Sequence, residues 1–321
     1  MSGGGTAMFR AVKYRFAITM SLLVTVSMAA RAARMTPEDV LQKHLASIGT
    51  PDARAATKSR VVEASLAYKI LQGGSGQLDG TGVIVSDGNK LQLMLKINAL
   101  KYHGEKFVRD GRRTFVAGTY DDGSRSEFGE FLWAEDAALR EGLLGGTWST
   151  GWALLSSDAQ KKLHPEGIKK VDGVDYYAVS YRPKKAGDLD IMLYFEPDTF
   201  RHVMTIYKAT MHAGIQGRSA DGMRATVSPA ATADGVDMAA SASSNVAAGA
   251  DTGSARQQET RYRIIERFSD FKTADGLTLP AHYELRFEEE LTSFTKIMDW
   301  NLSTTRLLSN VPVNAKNFEI H

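Results

Sequence analysis

Seven histidines are spread over 321 residues, and none stands in an H-E-x-x-H or other close pair that would grip a metal ion. His202 and His212 lie at the two ends of one alternating stretch and read as edge or surface residues. The nearest approach to a serine-nucleophile elbow is Gly146-Thr147-Trp148-Ser149-Thr150-Gly151. It has threonine where the first glycine belongs and lacks a strand-turn-helix frame. Gly73-Gly74-Ser75-Gly76 has the glycine content of a phosphate loop, but no Gly-Lys-Ser/Thr follows, so it reads as a hairpin turn. Asp188 with Asp190, and Glu288 with Glu290, share strand faces at period two, where acid-base work is conceivable and edge solvation is the ordinary role. No cysteine is present, which removes thiolate catalysis, thiolate metal ligation and disulfides. No catalytic, metal or cofactor set is nominated.

What remains is apolar. Leu139, Leu143, Leu144, Trp148, Trp152, Leu154 and Leu155 crowd a glycine-punctuated stretch in mid-chain, flanked by Gly142, Gly145 and Gly146. Such a cluster either fills a core or closes over a binding cavity.

The elements around it are mostly strands. Thr36-Pro37-Glu38-Asp39 supplies a helix cap, a first-turn proline and two acids, and Val40, Leu41, His44, Leu45 and Ile48 follow at helical spacing up to Gly49. From Val62 the period is two: Val62, Ala64, Leu66, Tyr68 and Ile70 oppose Glu63, Ser65 and Lys69. Leu91, Leu93, Leu95 and Ile97 repeat the pattern after an Asp87-Gly88 turn, and Asp110-Gly111 makes another hairpin. Residues 133–144 and Ser157 to Leu163 read as two short helices. Strands resume after Asp172-Gly173 as 175–182, 190–196 and 202–211, then as 261–268, 282–288 and 293–302. The pattern predicts an α+β fold: an incomplete antiparallel β-barrel of about ten strands, wrapped around an N-terminal helix and a central helical lid.

Two segments stand apart. Arg10, Lys13 and Arg15 precede the apolar run 16–30, and Ala30-Arg31-Ala32 offers a cleavage site, so residues 1–33 read as a secretory signal peptide. The apolar run is short of the roughly 20 residues a membrane-spanning helix needs, which weighs against an uncleaved anchor. Its removal lowers the basic count from 39 to 35 against 37 acids, a balance of −2 with no basic stripe, so nucleic acid is set aside as a partner. Residues 216–258, mostly Ala, Gly, Ser, Thr and Asp, lack the apolar surface to offset their ordering entropy and read as a disordered insertion within one domain spanning 34–321.

Val171 to Lys185 (VDGVDYYAVSYRPKK) followed by Leu193 to Phe200 (LYFEPDTF) resembles the DG-x-x-x-Y-x-L … P-K … D-x-x-T strands of LolA-like periplasmic lipoprotein carriers. Phe268 to Pro280 resembles their next strand and turn, Val313 to Phe318 their C-terminal end, and Leu139 to Leu163 their helical lid. The resemblance implies a non-catalytic, periplasmic half-barrel that shelters the acyl chains of a lipid or lipoprotein. Inner- or outer-membrane loading and acceptor proteins would be its partners. Candidate walls are Leu66, Tyr68, Leu93, Leu95, Tyr177, Phe195 and Phe287; the candidate lid is Leu139, Leu143, Leu144, Trp148, Trp152 and Leu155. The alternative is an envelope interaction or sensor module of the same fold, with a filled core and no transported cargo.

Overall fold

The computed structural model describes residues 35–100, 102–119, 124–184, 188–212 and 259–320. The expected signal peptide 1–33 and insertion 216–258 lie outside them.

The first helix, α1 (Pro37–Ile48), starts where its cap says it should. Thr36 Oγ1 accepts from the Asp39 N–H at 3.2 Å, and Asp39 Oδ2 accepts from the Thr36 N–H at 3.1 Å. Val40, Leu41, His44 and Ile48 form its buried face. A second short helix, α2 (Pro51–Ala56), follows under a Thr50 cap.

Five antiparallel strands come next: β1 (Ser59–Gln72), β2 (Gly76–Asp87), β3 (Lys90–Ile97), β4 (Gly104–Arg109) and β5 (Thr114–Gly118). The middle of the chain holds α3 (Glu127–Ala134), α4 (Ala137–Arg140) and three single 3-10 turns at Gly146–Trp148, Ala153–Leu155 and Ala159–Lys162. Strands return as β6 (Leu163–Val171), β7 (Val174–Tyr181), β8 (Asp190–Phe195), β9 (His202–His212) and β10 (Glu259–Ser269). A small hairpin of β11 (Lys272–Ala274) and β12 (Leu277–Leu279) precedes β13 (His282–Glu290) and β14 (Thr295–Ser309).

Twelve strands form one sheet in the order β5-β4-β3-β2-β1-β14-β13-β10-β9-β8-β7-β6. The long last strand β14 pairs with β1 on one side and β13 on the other, and so joins two meanders into one surface. Strands β5 and β6 end the order, so the sheet is open. One face is apolar from strand to strand. In register, Ile70, Met298, Phe287, Ile264, Tyr207 and Ile191 form a continuous cross-strand row.

The open antiparallel sheet matches the sequence reading; the strand count and helix arrangement do not. The main sheet has twelve strands rather than about ten. β6 escaped because Pro165 and Gly167 sit inside it, and the register shifts between those residues; proline and a bulge are tolerated on an edge strand. The expected helix 157–163 is only the 3-10 turn Ala159–Lys162, which leads into that strand. The expected helix 133–144 is displaced toward the N-terminus: α3 starts at Glu127, capped by Ser126, whose Oγ accepts from the Gly129 N–H at 2.9 Å. Left-handed glycines then break the chain at Gly142 (φ 80°) and Gly145 (φ 79°). The Asp275-Gly276 turn closes the β11–β12 hairpin, which is bridged to the end of α1 through Gly49 and Leu277.

Candidate functional site

The apolar face of the sheet encloses the central segment, residues 137–155. All seven wall candidates are buried in one cluster: Leu66, Tyr68, Leu93, Leu95, Tyr177, Phe195 and Phe287. Five of the six lid candidates, Leu139, Leu143, Leu144, Trp148 and Trp152, belong to the same cluster, none more than 1 % exposed. Leu155 does not. It is 40 % exposed and lies on a surface groove beside Ile48, Arg54 and Leu277, because the 3-10 turn Ala153–Leu155 points Trp152 and Leu154 inward instead. The segment expected as a lid is therefore a plug that fills the cup.

The plug makes no strand ladder with the sheet. Side chains of the sheet reach for its backbone. Arg60, on β1, donates through Nη1 to the Thr147 carbonyl at 2.6 Å. Arg109, on β4, donates to the carbonyls of Gly151 at 3.0 Å and Arg140 at 3.4 Å. Burial pushes both guanidinium pKa values down to about 10. From the other half of the sheet, Glu266 on β10 accepts from the Gly145 N–H at 2.7 Å. Trp148 Nε1 donates to the Pro280 carbonyl at 2.6 Å, and Trp152 Nε1 donates to His44 Nε2 at 3.0 Å.

The last bond fixes the state of His44. Nε2 accepts from Trp152, so the proton sits on Nδ1 and is donated to the Phe200 carbonyl at 3.1 Å. The ring is neutral, with its pKa driven down to about 4 mainly by burial. His202 is buried beside it; Nε2 meets Thr205 Oγ1 at 2.8 Å, and desolvation holds its pKa well below the usual range.

Two glycines of the plug, Gly142 and Gly146, sit where no side chain fits. A Cβ on Gly142 would stand 2.2 Å from Arg109 Nη1 and 2.4 Å from the Gly151 carbonyl oxygen, and one on Gly146 would stand 2.7 Å from the Phe268 ring. These positions let backbone approach backbone and ring.

At the end of the sheet where β1 turns into β2, the helix α3 lies across the interior. Phe128 packs on Phe107, Phe287 and Trp300, and Phe131 on Tyr262 and Phe287. The cap residue Ser126 donates to Glu105 Oε1 at 2.5 Å; Tyr102 donates to the same oxygen at 2.8 Å and itself accepts from Trp300 Nε1 at 3.0 Å. Burial raises the Glu105 pKa to about 7. Beside α3 opens a cleft of about 480 Å³, lined by Tyr68, Tyr102, Ser126, Glu127, Lys296 and Met298. Of the sequence candidates only Tyr68 reaches it. Glu105 and Glu266 were invisible in the sequence reading; the signal available was a glutamate at an inward position of a half-buried strand.

The residues weighed for catalysis are scattered. Ser149 Oγ accepts from the Gly151 N–H at 3.0 Å within its own turn, and Glu288 pairs with Arg263 at 3.3 Å. Among the described residues no three His, Asp or Glu side chains gather as metal ligands.

No family model and no curated protein matches the chain in sequence. Solved structures to which it is similar include the LolA superfamily protein NE2245 from Nitrosomonas europaea, at 13 % identity over 89 % of this chain and 99 % of that one, with a TM-score of 0.42. MucB in complex with MucA(peri) matches at 11 % identity over 86 % and 99 % of the two chains, TM-score 0.21. The lipoprotein LppX from Mycobacterium tuberculosis matches at 12 % identity over 52 % and 86 %, TM-score 0.21. At these scores the likeness adds no argument, and the open antiparallel half-barrel stands on the strand order of the chain itself.

Proposed function

We propose that this protein binds the acyl chains of a lipid or lipoprotein inside its half-barrel, non-catalytically, after the central plug is displaced, and that it works in the periplasm. The observation that carries the reading is the nature of the filling. A continuous apolar sheet face is covered by a segment of short helical turns, attached through a handful of side-chain hydrogen bonds rather than through strand pairing. Each acyl methylene taken out of water is worth about 0.8 kcal/mol, and a long chain gains that for every carbon it buries, set against both those bonds and the apolar side chains that the plug gives up. The cleft beside α3 offers a way in.

The second reading, an envelope interaction or sensor module with a filled core, is favoured by one specific fact: the wall and plug residues already pack against one another. Native mass spectrometry of the protein purified from its own envelope, together with displacement of a fluorescent fatty acid, separates the two. Copurified lipid and saturable probe binding support the carrier. A protein that is always empty and fails to bind the probe refutes it.

A further inference from the structure

Glu266 is a carboxylate buried without a cation. Its side chain projects from β10 into the apolar interior and is wholly enclosed. Three donors converge on it from three elements. Tyr207 of β9 donates to Oε2 at 2.6 Å, Tyr283 of β13 donates to Oε1 at 2.7 Å, and the Gly145 N–H of the plug shares Oε1 at 2.7 Å. The Trp148 ring packs on Tyr283 at 5.3 Å, and Phe268, on the same strand as Glu266, contacts Gly146 and stacks on Tyr283 at 5.1 Å. The other titratable groups nearby are Tyr181, which acts on Tyr207, and His202, whose Nε2 is engaged by Thr205 and whose ring packs on Phe268. Arg60 and Arg109 reach the plug at Thr147, Arg140 and Gly151, not at Glu266.

This geometry ties one ionisable group to one bond of the movable segment. The Gly145 amide is the only plug group on the carboxylate; the other two donors belong to the sheet and stay with it. In the closed form, water is replaced around the carboxylate by three hydrogen bonds and apolar rings, and burial raises its pKa to about 7. When the plug leaves, water reaches the carboxylate and the ordinary value near 4.5 returns. The closed form therefore holds its proton more tightly. Protonation favours closure, so opening becomes easier as pH rises above about 4.5 and levels off above about 7.

We infer that Glu266, with Tyr207 and Tyr283, forms a proton-sensitive latch on the plug at Gly145, so that opening of the acyl-binding interior is promoted as pH rises from about 5.5 to 8. The inference rests on the reading of residues 137–155 as displaceable, and its test needs no lipid, so it can fail while acyl binding stands.

The chain has no cysteine, which makes single thiols clean reporters. Ser149, in the plug and 1 % exposed, becomes the probe as S149C; Ser65, exposed on β1, becomes the reference as S65C. The rate of reaction of S149C with a thiol reagent, divided by that of S65C at each pH, reports opening free of thiol ionisation. The ratio is expected to rise about tenfold or more between pH 5.5 and 8. E266Q should abolish the rise, while E105Q, which removes the other buried carboxylate, should leave it. A flat ratio, a rise that survives E266Q, or a rise lost equally in E105Q overturns the latch. If E266Q does not fold, Y207F decides: loss of one donor to the ionised form should move the midpoint to higher pH, while Y102F, at Glu105, should not move it. An unmoved midpoint in Y207F refutes the proposal.

Discussion

The central plug and helix α3 both cover the inner face of one sheet and both bury rings against it, yet the plug is in addition gripped through its backbone. The plug is gripped through its backbone by polar side chains from both halves of the sheet: Arg60 and Arg109 from one, Glu266 from the other. Helix α3 is held mainly through its side chains, by rings on Phe128 and Phe131, by the Ser126–Glu105 bond and by an ion pair between Glu127 and Lys296. Under the proposed acyl-binding function, the cleft beside α3 would be the entrance and the plug the segment that an entering chain displaces.

Substituting the same residue in the two regions breaks the comparison most sharply. Gly142→Ala should destabilise the protein by about 3 kcal/mol or more, since φ is 80° and the new methyl meets both Arg109 and a carbonyl. Gly129→Ala on α3 should change stability by less than about 1 kcal/mol: the methyl stands 3.2 Å or more from its neighbours, and alanine is the better helix former. Urea unfolding of both variants measures the contrast, and equal losses would show that α3 is clamped as tightly as the plug.

The buried carboxylates and histidines give the next largest effect. Glu105 and Glu266, with pKa values raised to about 7, hold protons in the folded state that the unfolded chain releases above 4.5, so their contribution to stability falls as pH rises between those values. His44, lowered to about 4, and His202 act the other way: the unfolded chain holds their protons up to 6.5, so their contribution rises with pH. The two effects oppose each other between pH 4.5 and 6.5. The double variant E105Q/E266Q should therefore gain stability with pH over that window by about 4 kcal/mol relative to the parent, roughly 2 for each carboxyl, read from denaturant midpoints. A profile parallel to the parent's would show that these groups titrate as exposed ones.

Smaller effects are expected from single polar contacts. Arg60→Met should cost no more than about 2 kcal/mol, because the guanidinium is buried with its Nε unpartnered and methionine fills similar space. It should also tighten fatty-acid probe binding several-fold by loosening the plug; unchanged affinity would mean that Arg60 does not hold it. Lys296→Ala at α3 should shift stability by less than about 0.5 kcal/mol, since its partner Glu127 is half exposed.

Much of this architecture was legible in residue order. Alternation in 62–70 and 91–97 located β1 and β3 and named their inward residues, and the Thr36 cap located α1, because these signals are local. The edge strand β6 was hidden by Pro165 and Gly167, whose usual meaning is a break. The apolar cluster at 139–154 was found, but its role as plug depends on distant partners: Arg60 and Thr147 are 87 residues apart, Gly145 and Glu266 are 121 apart. No spacing rule encodes those bonds. Leu155 was misplaced because hydrophobicity alone cannot say which side of a single 3-10 turn faces inward.

If an acyl chain binds where the plug lies, pinning the plug in place weakens binding. Ser86 Oγ accepts from the Thr150 N–H at 3.0 Å, so cysteines at Ser86 and Thr150 would pin the plug to β2 when oxidised. Titration of a fluorescent fatty acid against the oxidised and reduced forms of S86C/T150C tests the claim directly. The reduced form should bind as the parent does and the oxidised form at least about tenfold more weakly, a difference of about 1.4 kcal/mol. Equal affinity in the two forms, or no binding in either, would contradict the account.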